Sequence, residues 1–474
     1  MHSVSGSIGS IALLDSKVSK PAIQKWNRFL LQAICMLLLC YGGYRTLYQD
    51  VLLNSWLTGD FRPVYLSTRA WLTGNQPYDP SALILEARQA DQALYQSVSN
   101  DIHGQVAIYP PSMFPALAFL SAMPWGLALA VDLALSAIAY FAMIWLCSLR
   151  LTGLKRLYFI AFAAASAPFH GAFSCANVSA LVVPLACVSI LCVDSNPIFA
   201  SVLLGAAVAI KPPVAALFIL YLAITRRWKP FMLTMLTSAL LFGVGIGWMK
   251  WHHLSWLAEY RANVATLVSP LVNKADGVVW NGAANFRVFN IQPVFYLITH
   301  SLNFAIIASY ILLIALLVAL SWSALSRPIP LPSLLDSELL SVACLCTFIA
   351  VYQHYYSAMS LLLVVLWALQ AWPRFLAKCV VAGASILILP LSKLPVMVML
   401  IRDLLKPGFR ISFHSLFRHD LPSDIYLGLP EQIAFMFPIC LVVICAVALT
   451  WDCWRIGRVS ETEIDTASLP ASAT

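Results

Sequence analysis

"PIFASVLLGAAVAIKPPVAALFILYLAIT", residues 197–225, is apolar from end to end except at Lys211-Pro212-Pro213. A helix needs roughly 20 apolar residues to cross a hydrocarbon layer of about 30 Å, and this run exceeds that. Two prolines in series remove backbone N–H donors and clash with the preceding turn, so the helix breaks there. A lysine at membrane depth costs at least ~2.5 kcal/mol on insertion scales. Such a cation at a helix break is a functional candidate by default. The plainer reading is two short helices with Lys211 snorkelling to an interface.

Similar apolar runs recur along nearly the whole chain. Of its 474 residues, 61% are hydrophobic and only 11% charged, where a soluble domain carries about 25% charged residues. The chain therefore reads as an all-α polytopic membrane protein. Expected spans are 29–48, 112–123, 125–148, 157–174, 178–193, 197–224, 231–249, 303–325, 338–352, 356–371, 377–400 and 432–452, about 12 in all. No small-residue cleavage site follows Phe29–Tyr48, which reads as a retained span. Lys17, Lys20, Lys25 and Arg28 precede it with no acid among them, which puts the N-terminus in the cytoplasm. The expected layout is a cytoplasmic tail 1–28, a membrane domain 29–452 with external loops 49–111 and 251–302, and a cytoplasmic tail 453–474. The net charge of +8 belongs to cytoplasmic loops rather than to a nucleic-acid surface. One cluster resists this count, because it leaves Arg150, Lys155 and Arg156 outside. The twelve cysteines sit mostly in apolar runs without metal-ligand spacing, so neither disulfides nor a metal is expected.

The first external loop is unusual for a connector. "TGDFRPVYLSTRAWLTGNQPYD", residues 58–79, holds an acid, two arginines and several aromatics. Phe61, Val64, Tyr65, Thr68, Trp71 and Leu72 form a helical stripe, which predicts an amphipathic helix in the interface with Tyr65 and Trp71 at headgroup depth. Gly74-Asn75-Gln76-Pro77 predicts a turn. Ser81 is then the expected cap of a second helix with the stripe Leu83, Ile84, Ala87, Ala90 and Leu94. Asp60 stands at the mouth of the first helix, where it either caps that helix or does chemistry.

These features resemble the integral-membrane glycosyltransferases of family 87. The resemblance rests on the acid after the first span, then "AWLTGNQPYDP", "YPPSMFPAL", "APFHGAFSCANVSALVVPL", "LGAAVAIKPPVAALFILYLAITRRWKPF" and "YQHYYSAMSLLLVV", in that order from Asp60 to Val365. It departs at Cys175-Ala176, where the family usually has Gly-Gln before the asparagine that aligns with Asn177. The resemblance implies a GT-C fold and transfer of a hexose, mannose first among them, from a polyprenyl-phosphate sugar. The acceptor would be a glycolipid or glycan at the outer face of the plasma membrane. No cofactor is implied.

The chemistry of such a transfer asks for particular side chains. A base must take the acceptor's proton, and cations must stabilise the departing phosphate. Asp60 is the expected catalytic base. Lys211, His354, Arg62, His170, Asn177 and Tyr109 are the expected contacts of the donor phosphate and sugar. Asn285 and Arg287 are weaker acceptor contacts, as any exposed loop offers such residues. No G-x-G-x-x-G, Walker lysine loop or Asp-x-Asp pair occurs, which disfavours nucleotide donors. Two other readings share the same spans: a transporter of lipid-linked sugars, and a non-catalytic paralogue. Transporters often carry two repeated halves, and none is visible here.

Overall fold

The computed structural model describes residues 20–47, 59–99, 107–273, 291–299, 301–327, 333–349, 355–372, 374–388 and 440–454. Every regular element among them is helical. After α1 (Lys20–Tyr44) come three short helices, α2 (Phe61–Leu72), α3 (Pro80–Ala90) and α4 (Gln92–Ser99). Then follow α5 (Met113–Ser121) and the long α6 (Trp125–Leu149). The expected span 157–174 is two helices, α7 (Gly153–Ala164) and α8 (Ala167–Ser174), parted just ahead of Pro168. Next are α9 (Ser179–Cys192), α10 (Pro197–Ile210), α11 (Pro212–Ile224) and α12 (Trp228–Trp251). The second external loop, in which the sequence marked no helix, contains α13 (Trp256–Asn273) and α14 (Gln292–Thr299). The remainder is α15 (Leu302–Leu325), α16 (Ser333–Cys346), a 3-10 turn Tyr355–Ser360, α17 (Leu361–Gln370), α18 (Phe375–Ile388) and α19 (Cys440–Trp454). The expected spans 338–352, 377–400 and 432–452 run partly outside the described residues, and both polar tails lie largely there too.

Among the described residues, five helical stretches are long and apolar enough to cross a membrane: 28–47, 125–149, 153–174, 228–251 and 303–325. Their outer faces carry large exposed apolar side chains, among them Leu37, Phe141, Leu240 and Ile311. Contiguous apolar surface of this kind fits lipid, not water. By contrast, Leu361 to Leu369 of α17 are all buried, as expected for a helix that is apolar all round. All twelve cysteines are free thiols.

Side-chain contacts sort the helix ends into two groups. At one end the Arg150 guanidinium donates to the Leu191 carbonyl (2.9 Å), and Arg226 donates to the Leu325 carbonyl (2.5 Å). Arg227 lies there too, bonded to Asp194 and Asp336, and Arg156 covers the Trp145 ring. Arg150, Lys155 and Arg156 therefore share an end with Arg226 and Arg227, which corrects the topology count. Two errors in that count offset each other. Helix α5 has nine residues and rises only about 14 Å, too short to cross. The run 197–224, taken as one span, instead goes up along α10, breaks at Lys211 and returns along α11.

The loop helices also differ from the surface helices expected. In α2 the stripe residues from Phe61 to Trp71 are buried and Leu72 half-buried, but Arg62, Leu66, Ser67 and Ala70 on the other faces are buried as well. Trp71 and Tyr65 point inward: the Trp71 indole donates to the Gly245 carbonyl (3.1 Å) and the Tyr65 hydroxyl to the Met123 carbonyl (2.9 Å). The second helix is capped by Asp79, which accepts from the Ser81 N–H (2.9 Å), so Ser81 is not the cap. Its stripe is divided at Asp91, where α3 ends and α4 begins, with Leu94 buried in the latter.

Candidate active site

The "AWLTGNQPYDP" segment is a bracket built around one buried acid. Glu86 is fully buried and accepts from Arg69 (3.2 Å), Thr73 (2.6 Å) and Asn75 (2.8 Å). With its donors in place, the cost of burying that carboxylate is offset. Gly74 has φ +76°, and a Cβ there would lie 2.4 Å from the His252 ring, so a side chain is excluded twice. The Trp248 indole donates to the Trp71 carbonyl (2.6 Å), and the Asn263 amide donates to the Tyr78 (2.9 Å) and Ala107 (3.1 Å) carbonyls. Burial holds the Tyr78 phenol above its ordinary range, so it stays a donor to the Tyr109 carbonyl (2.9 Å). Helix α2 is thus fixed against α12 and α13 with Asp60 at its start.

Asp60 is exposed, and its side chain makes no cap bond to α2. The capping reading of Asp60 fails. Its backbone N–H donates instead to the Cys175 carbonyl (2.7 Å), and its Oδ2 accepts from the Asn177 amide (2.7 Å). The Asn177 Oδ1 in turn accepts from the Ser179 N–H (2.8 Å), at the first turn of α9. The Ser179 hydroxyl accepts from the Lys211 ammonium (2.6 Å). Lys211 itself is half-buried, with φ −143° and ψ 78°, outside the helical region that a following proline disfavours. Asp60, which lies 117 positions before Asn177 in the chain, therefore meets Asn177 and Lys211 around the N-terminus of α9. That terminus adds partial positive charge, suited to a carboxylate or a phosphate.

The loop that makes this possible is strained. Ala176, buried between Cys175 and Asn177, has φ +47°, where a side chain is disfavoured. Gly171 beneath it lies against the Tyr356 ring. The Tyr356 hydroxyl reaches the Cys175 sulfur (3.4 Å). So the "YQHYYS" motif does approach the site, through Tyr356. His354 falls outside the described residues, as do Asn285 and Arg287.

The other expected residues are placed as follows. The His170 Nε2 is paired with the Ala164 carbonyl at the end of α7 (2.8 Å). Arg62 is buried and donates to the Ser97 carbonyl (3.2 Å) and hydroxyl, tying α2 to α4. The turn after Tyr109 packs Pro111 against Gly245, and the Ser112 hydroxyl donates to the Ala209 carbonyl (2.7 Å), two residues before Lys211. Ser179 is the residue that sequence reasoning missed. Its signal was the asparagine two positions earlier, a pattern in which an amide side chain accepts from an N–H two residues on.

Residues 107–348 match the family model of glycosyltransferase family 87, just over half of the 474-residue chain. The chain belongs to that family. No curated protein and no solved structure gives a match. The matched stretch of this glycosyltransferase includes Tyr109, His170, Asn177 and Lys211. Asp60 precedes it and His354 follows it, so the place of Asp60 in the enzyme rests on its bonds to Cys175 and Asn177.

Proposed function

We propose that this glycosyltransferase moves a hexose, mannose by resemblance, from a polyprenyl-phosphate donor to a glycolipid or glycan acceptor at the outer face of the plasma membrane. The observation that carries the reading is the bonded path from an exposed carboxylate, Asp60, through Asn177 and Ser179 to Lys211 in a helix break. Asp60 takes the proton of the acceptor hydroxyl as its oxygen attacks the anomeric carbon. The bond from that carbon to the phosphate oxygen breaks, and the electron pair leaves with the polyprenyl phosphate. Lys211 and the N-terminus of α9 stabilise the phosphate charge. A lipid carrier suits this site because an isoprenoid tail stays in the hydrocarbon while its head reaches the interface.

About 12 spans remain the proposed count, with α5 removed and α10 and α11 counted separately. On that count the basic end, with Arg150 and Arg227, is cytoplasmic and the Asp60 end is external. The test is transfer by purified protein in lipid vesicles. Labelled hexose should move from polyprenyl phosphate to a membrane acceptor. Equal transfer directly from GDP-mannose or UDP-glucose, with no lipid carrier, would overturn the donor assignment.

A further inference from the structure

Asn177 holds two bonds with opposite requirements, and together they fix which way its amide faces. The Ser179 N–H can only donate, so the atom facing it at 2.8 Å is the amide oxygen. The amide nitrogen is then the atom 2.7 Å from the Asp60 Oδ2. One end of the side chain is anchored on the first turn of α9; the other grips one oxygen of the carboxylate. Among the described residues, no side chain or backbone N–H bonds the second oxygen of Asp60.

We infer that Asn177 is the positioning residue of the proposed base. It holds Oδ2 so that Oδ1 alone is presented to the acceptor hydroxyl. This rests on the reading of Asp60 as the base, and it changes the role expected of Asn177 from the sequence, which was contact with the donor. The α9 turn that anchors Asn177 also bears the Ser179 hydroxyl that bonds Lys211. Base and phosphate-binding cation are thus referenced to one rigid helix end, and their separation is set by α9 rather than by two loops. A carboxylate free to rotate would lose that geometry, and small misplacements of a reacting group are costly in rate.

The test separates positioning from capping. Serine and threonine also cap helix starts and add no charge beside Asp60, so both Asn177→Ser and Asn177→Thr keep the start of α9. Neither offers the amide donor to Asp60. Both variants should elute and melt like the unmodified enzyme, with kcat about 10- to 100-fold lower, the range of a lost hydrogen bond to a charged group. The KM for the polyprenyl-phosphate donor should stay within about twofold, since Lys211 still bonds Ser179. Should serine fail to fold, threonine carries the test. Near-normal kcat in both variants, with Asp60→Asn inactive, would overturn the inference and leave the proposed base standing. Normal kcat with a raised donor KM would overturn it too, returning Asn177 to donor contact. An active Asp60→Asn enzyme would remove the base itself, a result distinct from both.

Discussion

Helices α9, α10 and α11 carry an ionic cluster at each end, and the two clusters are built differently. At the Arg227 end the guanidinium bonds Asp194 twice (2.9 and 3.0 Å) and Asp336 twice (2.9 Å each), and Tyr221 donates to Asp336 at 2.7 Å. Both carboxylates there are engaged, and each long donor face is used. At the other end, about 20 Å along α11, Asp60 has one oxygen bonded and Lys211 has one hydroxyl partner. The first arrangement stitches the α9–α10 turn, the α11–α12 turn and the start of α16 into one unit. The second leaves charge to spare where a substrate can use it. Satisfaction of hydrogen bonds, more than the presence of charge, separates a clamp from a site.

The comparison breaks most visibly at Asp60. Asp60→Asn should lower transfer by ~10²–10⁴-fold, the usual cost of a lost general base. Its melting temperature should hardly move, because the side chain makes no cap bond and the new amide oxygen can still accept from Asn177. Full activity would show the acid to be idle. Lys211→Met comes next. It keeps most of the apolar stem but removes the cation, so the donor KM should rise roughly 10- to 100-fold, the range of a charge-assisted hydrogen bond. A changed acceptor KM with an unchanged donor KM would detach Lys211 from the phosphate.

How much of this was legible in the sequence varies with the kind of signal. Lys211 was legible because a lysine beside two prolines in an apolar run has no cheap local explanation. Asp60 was visible as an acid at a helix mouth, but its partner was not. Asn177 lies 117 positions away, and only the fold brings α9 to α2. Ser179 was legible only as a helix start two positions after an asparagine, because nothing local says that its hydroxyl meets a lysine 32 positions on. The burial of α2 was half legible. Periodicity reports one packing face, and Arg62 and Ser67 looked like the wet side of the helix. They are buried because Arg62 finds Ser97 and Ser67 finds the Val64 carbonyl. The topology slipped at α5 for a related reason: apolar composition does not say whether a run is long enough to continue as helix.

The clamp predicts the reverse pattern of effects. Arg227→Met leaves Asp194 and Asp336 facing one another without their shared cation. The Arg227 side chain is 20% exposed and Asp194 is 73% exposed, so water softens the loss. The cost should be about 2 kcal/mol, below the 3–5 kcal/mol typical of a fully buried pair. Arg227→Lys should recover only part of it, because an ammonium cannot span two carboxylates in the plane that a guanidinium can. The readout is a lower melting temperature in detergent with donor KM and kcat unchanged at a permissive temperature. Loss of transfer without loss of stability would move the site to this end.

The smallest expected effect is at Glu86, and it sharpens the comparison because Glu86 and Asp60 share one loop. By residue type either acid could be the base, but Glu86 is buried and bonded by three donors, so it belongs with the clamp. In Glu86→Gln the amide oxygen can keep the bonds from Thr73 and Asn75. Its NH₂ then faces Arg69, a donor against a donor. The Arg69 side chain is 25% exposed and can turn to water. The net cost should therefore be about 1 kcal/mol, near that of one ordinary hydrogen bond. Thermal melting should show a modest drop, and transfer at low temperature should match the unmodified enzyme. If Glu86→Gln instead loses transfer as deeply as Asp60→Asn while melting normally, bond satisfaction does not mark the structural acid. The base would then have to be sought at Glu86.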